Sequence, residues 1–168
     1  NVSVRINPDI DAHTHKYVTT GLYENKFGIS QHEFEKLIEI ISKSSHINFI
    51  GLHFHVGSQI SRVEEVFGLE CRRVNEIVAY FESKGLKIDN INLGGGLGVD
   101  YDDPDGNPIA DFGTWFEAIS SNIVRRPDQA VHVEPGRSLV AQCATLISRV
   151  VFVKSGETKN FLIMDAGM

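Results

Sequence analysis

Three short runs in the chain carry residue types that can do chemistry. The first, His53-Phe54-His55-Val56-Gly57-Ser58-Gln59, puts two imidazoles two residues apart and follows them with a hydroxyl. The second, Asn92-Leu93-Gly94-Gly95-Gly96-Leu97-Gly98, is a triple glycine directly after an apolar stretch. The third, Glu134-Pro135-Gly136-Arg137, sets a carboxylate and a guanidinium on either side of a turn. Glycine-rich backbone with exposed N–H groups can hold a phosphate without any side chain. The spacing nevertheless differs from the GxGxxG and GxxxxGK[ST] fingerprints. Arg137 offers a planar fork of donors that suits a phosphate or a carboxylate. Each run also has a plain reading: a packed histidine, a tight turn, a solvated salt bridge. Two histidines at i and i+2 share one face of a strand, as do His132 and Glu134, so His53, His55 and His132 are also conceivable zinc ligands. Arg137 argues against that alternative, because its charge opposes a cation, and a metal site has no use for three glycines.

The elements that must position these residues follow from hydrophobic period. Val2 to Ile6 alternates as a strand and stops at Asn7-Pro8. Ser30 and Glu33 have capping-box spacing ahead of a helical stripe at Phe34, Leu37, Ile38 and Ile41. Ile47 to Phe54 reads as a buried strand, and Ser61 and Glu64 as a second capping box opening a long helix that ends near Gly85. A strand from Ile88 to Leu93, a helix through Phe112, Trp115, Phe116, Ile119 and Ile123, and a strand from Ala130 to Val133 complete the pattern. Strand and helix in alternation predict a parallel sheet with right-handed crossovers. In that α/β architecture the working face lies where loops leave the C-terminal strand ends, and there Arg5, His55 with Ser58, Gly94 to Gly96, and Glu134 with Arg137 converge. Past Arg137 the pattern changes. An apolar turn at Ser138 to Gln142, β-branched residues from Ala144 to Lys154 and a strand from Phe161 to Met164 suggest an antiparallel hairpin, with a division between residues 1–140 and 141–168.

Composition narrows the class. With 168 residues, 42% hydrophobic and 23% charged, the chain is globular in composition, yet a complete β/α barrel takes at least roughly 200 residues. Twenty-two acidic against 16 basic residues give a net charge of −6, which disfavours a nucleic-acid partner. No stretch approaches the roughly 18 apolar residues of a membrane span. The two cysteines, Cys71 and Cys143, form neither a disulfide framework nor a CxxC pair and read as small core residues, so a reducing, cytoplasmic setting is expected. The chain opens on Asn1 inside an alternating run, as if part of something longer.

These motifs, in this order, resemble the diaminopimelate decarboxylase family, one of the fold-type III pyridoxal-phosphate enzymes. Arg5-Ile6-Asn7-Pro8, Lys26-Phe27-Gly28 and Asp165-Ala166-Gly167-Met168 agree as well. Ornithine and arginine decarboxylases share the outline, but Gly57-Ser58-Gln59-Ile60 and Glu134 to Ala141 look most like the diaminopimelate branch. The resemblance implies the C-terminal half of a β/α (TIM-type) barrel leading into an antiparallel β domain. It also implies that pyridoxal 5'-phosphate is the cofactor, with His55 against its ring, Ser58 and the amides of Gly94, Gly95 and Gly96 on its phosphate, and Glu134 on the pyridine nitrogen. Gly136 is then expected to permit close approach of backbone, Arg137 to contact cofactor and substrate, and Arg5 to lie near the site. The family's Schiff-base lysine and catalytic cysteine lie outside the matched region, and neither Lys26 nor Lys154 replaces that lysine. The activity implied is decarboxylation of meso-2,6-diaminopimelate to L-lysine by a homodimer, with this chain alone inactive and no metal required.

Overall fold

Alternating burial along the strands divides the fold into two faces. The computed structural model describes residues 1–10 and 26–166. Strands β1 (Val2–Arg5), β2 (Phe49–His53), β3 (Asn90–Asn92) and β4 (Ala130–His132) form one parallel sheet in the order β1-β2-β3-β4. Helices α1 (Phe34–Lys43), α2 (Val63–Ser83) and α3 (Phe112–Asn122) fill the crossovers. Sequential parallel strands joined by helices are the repeating unit of a β/α barrel. Leu52, Phe54 and Val56 are fully buried, as are Ile91 and Leu93, and they join Val66, Phe67, Val74 and Phe81 of α2 in one core between sheet and helices. The α2–α3 contact adds an edge-on pair, Phe67 and Trp115, with centroids 5.6 Å apart. Because side chains alternate along a strand, the residues between these apolar ones turn to the opposite face. The register pairs Arg5 with His53, His53 with Asn92 and Asn92 with His132, so that face carries a polar row across all four strands.

Local details depart from the expected boundaries. Ser61 does not cap α2; Arg62 holds that position without a side-chain cap. Ile60 is held in a parallel bridge to Leu97, with hydrogen bonds from Ile60 N–H to Gly96 O at 2.9 Å and from Gly98 N–H to Ile60 O at 3.0 Å. This tertiary tie keeps the chain extended past Ser61. The capping box at Ser30 does open a helical stretch, a single 3₁₀ turn at Gln31–Glu33 that runs into α1, with Ser30 N–H donating to Glu33 Oε2 at 3.4 Å. Residues expected to turn at Ser138 to Gln142 instead begin within a short helix, α4 (Arg137–Val140). Antiparallel β5 (Val150–Ser155) and β6 (Asn160–Met164) form the separate hairpin, while 144–149 is not strand. Cys71 is buried as expected, and burial pushes its thiol up to about 12. Cys143 is exposed rather than in a core, since it lies in a segment whose side chains are exposed throughout. Among the described residues no helix is long and apolar enough to cross a membrane. Gly167 and Met168 of the terminal motif lie outside the described residues.

Candidate active site at the strand ends

Glu134 lies two residues beyond β4, on the polar face, and its carboxylate is gripped from two neighbouring strands. Asn92 Nδ2 donates to Oε1 at 2.8 Å, and His53 Nε2 lies 3.4 Å from Oε2. The Asn92 hydrogen bond, aided by the neighbouring His53 imidazole, holds the carboxyl below its ordinary range despite partial desolvation. Glu134 is therefore a carboxylate at neutral pH, with more than half of its side chain open to solvent.

His55 behaves oppositely. Burial, and then the positive charge of Arg5 beside it, lower its pKa against an opposing pull from Glu134, so it stands as neutral imidazole. Its Nδ1 accepts the Gly95 N–H at 3.2 Å, which leaves the ring proton on Nε2. Arg5, half-buried at the end of β1, stacks 5.0 Å from the Phe27 ring and feels the charge of Glu134.

The triple glycine is required first by neighbouring backbone. A Cβ on Gly95 would sit 2.9 Å from the carbonyl carbon of Glu134 and closer still to its oxygen. Gly94 has φ +68, and a Cβ there would meet His55 Nδ1 at 2.9 Å. Two of the three amides expected on a phosphate already have acceptors: Gly94 N–H donates to Asn92 Oδ1 at 2.8 Å, and Gly95 N–H to His55. The loop after β3 therefore packs against both flanking loops, with Gly96 over the carbonyl of Gly57, beside half-buried Ser58. Gly136 differs. Among the described residues, its chain neighbours aside, nothing lies within 4 Å of a Cβ built on it, so the space beside its backbone is open at the rim.

Arg137 is steadied by two residues that sequence reasoning missed. Its Nη1 donates to Gln59 Oε1 at 3.4 Å, and its guanidinium lies 5.9 Å from the Tyr101 ring centroid. Asn92, the partner of Glu134, was also missed, although its parity with Gly94 along β3 was a usable signal. The three histidines considered as zinc ligands turn their donors to different partners. His53 faces Glu134, His55 engages Gly95, and His132 Nε2 lies 2.8 Å from Asn90 Oδ1. Among the described residues no group of three His, Cys, Asp or Glu side chains is placed to hold a metal. Lys154 belongs to the hairpin strand β5, and Lys26 lies over Phe27 at 5.1 Å.

Residues 1–141 match the pyridoxal binding domain of the pyridoxal-dependent decarboxylases. The chain belongs to that family. A diaminopimelate decarboxylase from Bacteroides thetaiotaomicron is 46% identical over the whole chain, and one from Pseudomonas aeruginosa is 41% identical over 99% of it. The chain spans 43% and 39% of those relatives. Among solved structures, Helicobacter pylori diaminopimelate decarboxylase complexed with L-lysine superimposes with a TM-score of 0.84 at 35% identity, covering 99% of this chain and 40% of that one. The enzyme from M. jannaschii in complex with L-lysine gives 0.79 at 32% identity over 100% of this chain and 39% of that one. These neighbours establish the barrel setting of the four-stranded sheet, and the family is pyridoxal-dependent.

Proposed function

We propose that this chain forms the pyridoxal-phosphate-facing part of a decarboxylase that converts meso-2,6-diaminopimelate to L-lysine and carbon dioxide. The observation that carries the reading is Glu134, a carboxylate kept ionised on the rim by Asn92 and His53. Bound pyridoxal phosphate would supply an electron-withdrawing ring that stabilises the negative charge left as carbon dioxide departs. Glu134 would hold a proton on the ring nitrogen, because an adjacent carboxylate favours the charged pyridinium. His55, neutral and fixed by Gly95, would lie against the ring without adding a second positive charge. Ser58 and the Gly96 amide would bind the phosphate, Gly94 and Gly95 would shape the cradle through their contacts, and the open rim at Gly136 would admit the group. Arg137 would bind an anionic oxygen pair of cofactor or substrate.

On this reading the lysine that bonds the cofactor lies in polypeptide beyond these residues, the division between barrel and β domain falls near Val140, and the working form is a cytoplasmic homodimer. The family match over residues 1–141 supports that division, and the names of the relatives support the substrate. The test uses a polypeptide of the relatives' length containing this chain, assayed for carbon dioxide release from meso-diaminopimelate, L-ornithine and L-arginine. Preference for the first is expected. Preference for either of the others, or loss of activity to a chelator that removes stoichiometric zinc, would overturn the proposal.

A further inference from the structure

Gln59 is unusual in backbone and side chain at once. It is one of two described non-glycine residues with positive φ, at +58, a conformation that disfavours an L side chain. Such strain persists only where the surroundings fix it. Here the fixing contacts are visible. The side-chain amide pairs with the backbone of Val99 in both directions, Nε2 donating to Val99 O at 2.6 Å and Oε1 accepting Val99 N–H at 3.2 Å. The loop after β2 is thereby tied to the loop after β3 by a side chain acting as a strand neighbour would. The same Oε1 accepts from Arg137 Nη1 at 3.4 Å, bringing in the loop after β4. Tyr101, two residues after Val99 in the chain, places its ring near the Arg137 guanidinium. Gln59, Val99 and Tyr101 also line an open cleft of about 580 Å³, whose lining does not include Arg137 itself.

We propose that Gln59 is a positioning residue that aims Arg137 at a ligand carboxylate. The inference rests on the assignment of Arg137 as an anion-binding residue in the proposed function. A guanidinium on a flexible stem loses rotamer freedom when it binds, and an acceptor that already restrains it removes part of that loss. Gln59 suits the task because its oxygen is itself fixed by Val99. A carboxylate at this position would pair with Arg137 and quench it; a neutral acceptor steadies the guanidinium and leaves its charge for the ligand.

The test is a double-mutant cycle in the pyridoxal-phosphate-loaded, full-length enzyme, read as the Kd of L-lysine by calorimetry, with cofactor affinity and unfolding midpoint measured in parallel. Gln59→Met keeps the length and removes the acceptor; Arg137→Lys keeps the charge and removes the fork. Each single variant should weaken L-lysine about tenfold, and Gln59→Met should add less than about twofold in the Arg137→Lys background, since residues acting through one another are not additive. Gln59→Glu should also weaken L-lysine. Additive effects, or an unchanged L-lysine Kd in Gln59→Met, would overturn the positioning role while leaving Arg137 as a ligand residue. Loss confined to cofactor affinity would assign the arginine to the phosphate and overturn the carboxylate assignment. An unchanged L-lysine Kd in Arg137→Lys and in Arg137→Ala would overturn the underlying site assignment itself.

Discussion

Replacing Gly95 with alanine adds one methyl group, and the structure says where it must go. The new Cβ would lie 2.9 Å from the Glu134 carbonyl carbon, nearer still to the oxygen, inside the 3.0 Å that real Cβ atoms keep from such neighbours. The obstacle is backbone, so no side chain can rotate to relieve the overlap. The ends of β3 and β4 must part, which strains the bond from Glu134 N–H to Gly94 O, now 2.6 Å. Overpacking a tight site costs about 1–3 kcal/mol and a weakened hydrogen bond about 1 kcal/mol, so a loss of about 3 kcal/mol is expected. Gly85→Ala is the control: its φ is +86, but among the described residues nothing lies within 4 Å of the added Cβ, so only the left-handed penalty of about 1–2 kcal/mol applies. Urea unfolding followed by circular dichroism measures both, with stability taken from the midpoint and slope. If Gly95→Ala proves no more damaging than Gly85→Ala, the close approach of the loop to Glu134 is wrong, and so is the reason given for the triple glycine.

The remaining predictions concern other parts of the site and the core. Gly136→Val adds its bulk where, among the described residues, only its chain neighbours lie near, so the unfolding midpoint should hold while pyridoxal-phosphate retention falls, and added cofactor should partly restore occupancy by mass action. Glu134→Ala in the full-length enzyme should lower decarboxylation far more than cofactor affinity; near-normal turnover would leave Glu134 a structural residue. Glu70 is fully buried on α2, among the described residues neither carboxyl oxygen has a partner, and burial raises its pKa well above the usual carboxylate range. The native state then binds the Glu70 proton more tightly than the unfolded state, so its destabilising effect appears as pH rises above the unfolded value of about 4.3. Glu70→Met should stabilise by roughly 1–3 kcal/mol at pH 8 and by much less near pH 4, an unfolding comparison that fails if the gain is independent of pH.

What the sequence made legible was periodic or local. Strand and helix order as far as β4, and the change from parallel sheet to hairpin, follow from side-chain parity, and the structure has both. The contacts that give the site its electrostatics join residues far apart in the chain. Asn92 reaches Glu134 across 42 positions and Arg137 reaches Gln59 across 78, and no spacing rule connects such pairs. The extended run at Ile60 and Ser61 defeated a valid capping signal for the same reason, because a bridge to Leu97 outweighs a local preference worth about 1 kcal/mol. Glu70 was within reach: it falls between Phe67, Cys71 and Val74 on the buried stripe of α2, where a carboxyl has no place unless something compensates it.

The polar row from Arg5 through His53 and Asn92 to His132 gives the architecture its use. Barrel interiors are ordinarily packed with branched apolar side chains. Here the apolar side chains on the opposite, helix-facing side of the strands bury against α2 and its neighbours, which leaves the inner face at the strand ends available for charge. On that face the depressed pKa of Glu134 and the depressed pKa of His55 are complementary: one group stays negative and the other stays neutral. In the proposed function, Glu134 would serve the ring nitrogen and uncharged His55 the ring's plane. Protonating His55 would place a positive charge against that plane and weaken the preference for a protonated ring.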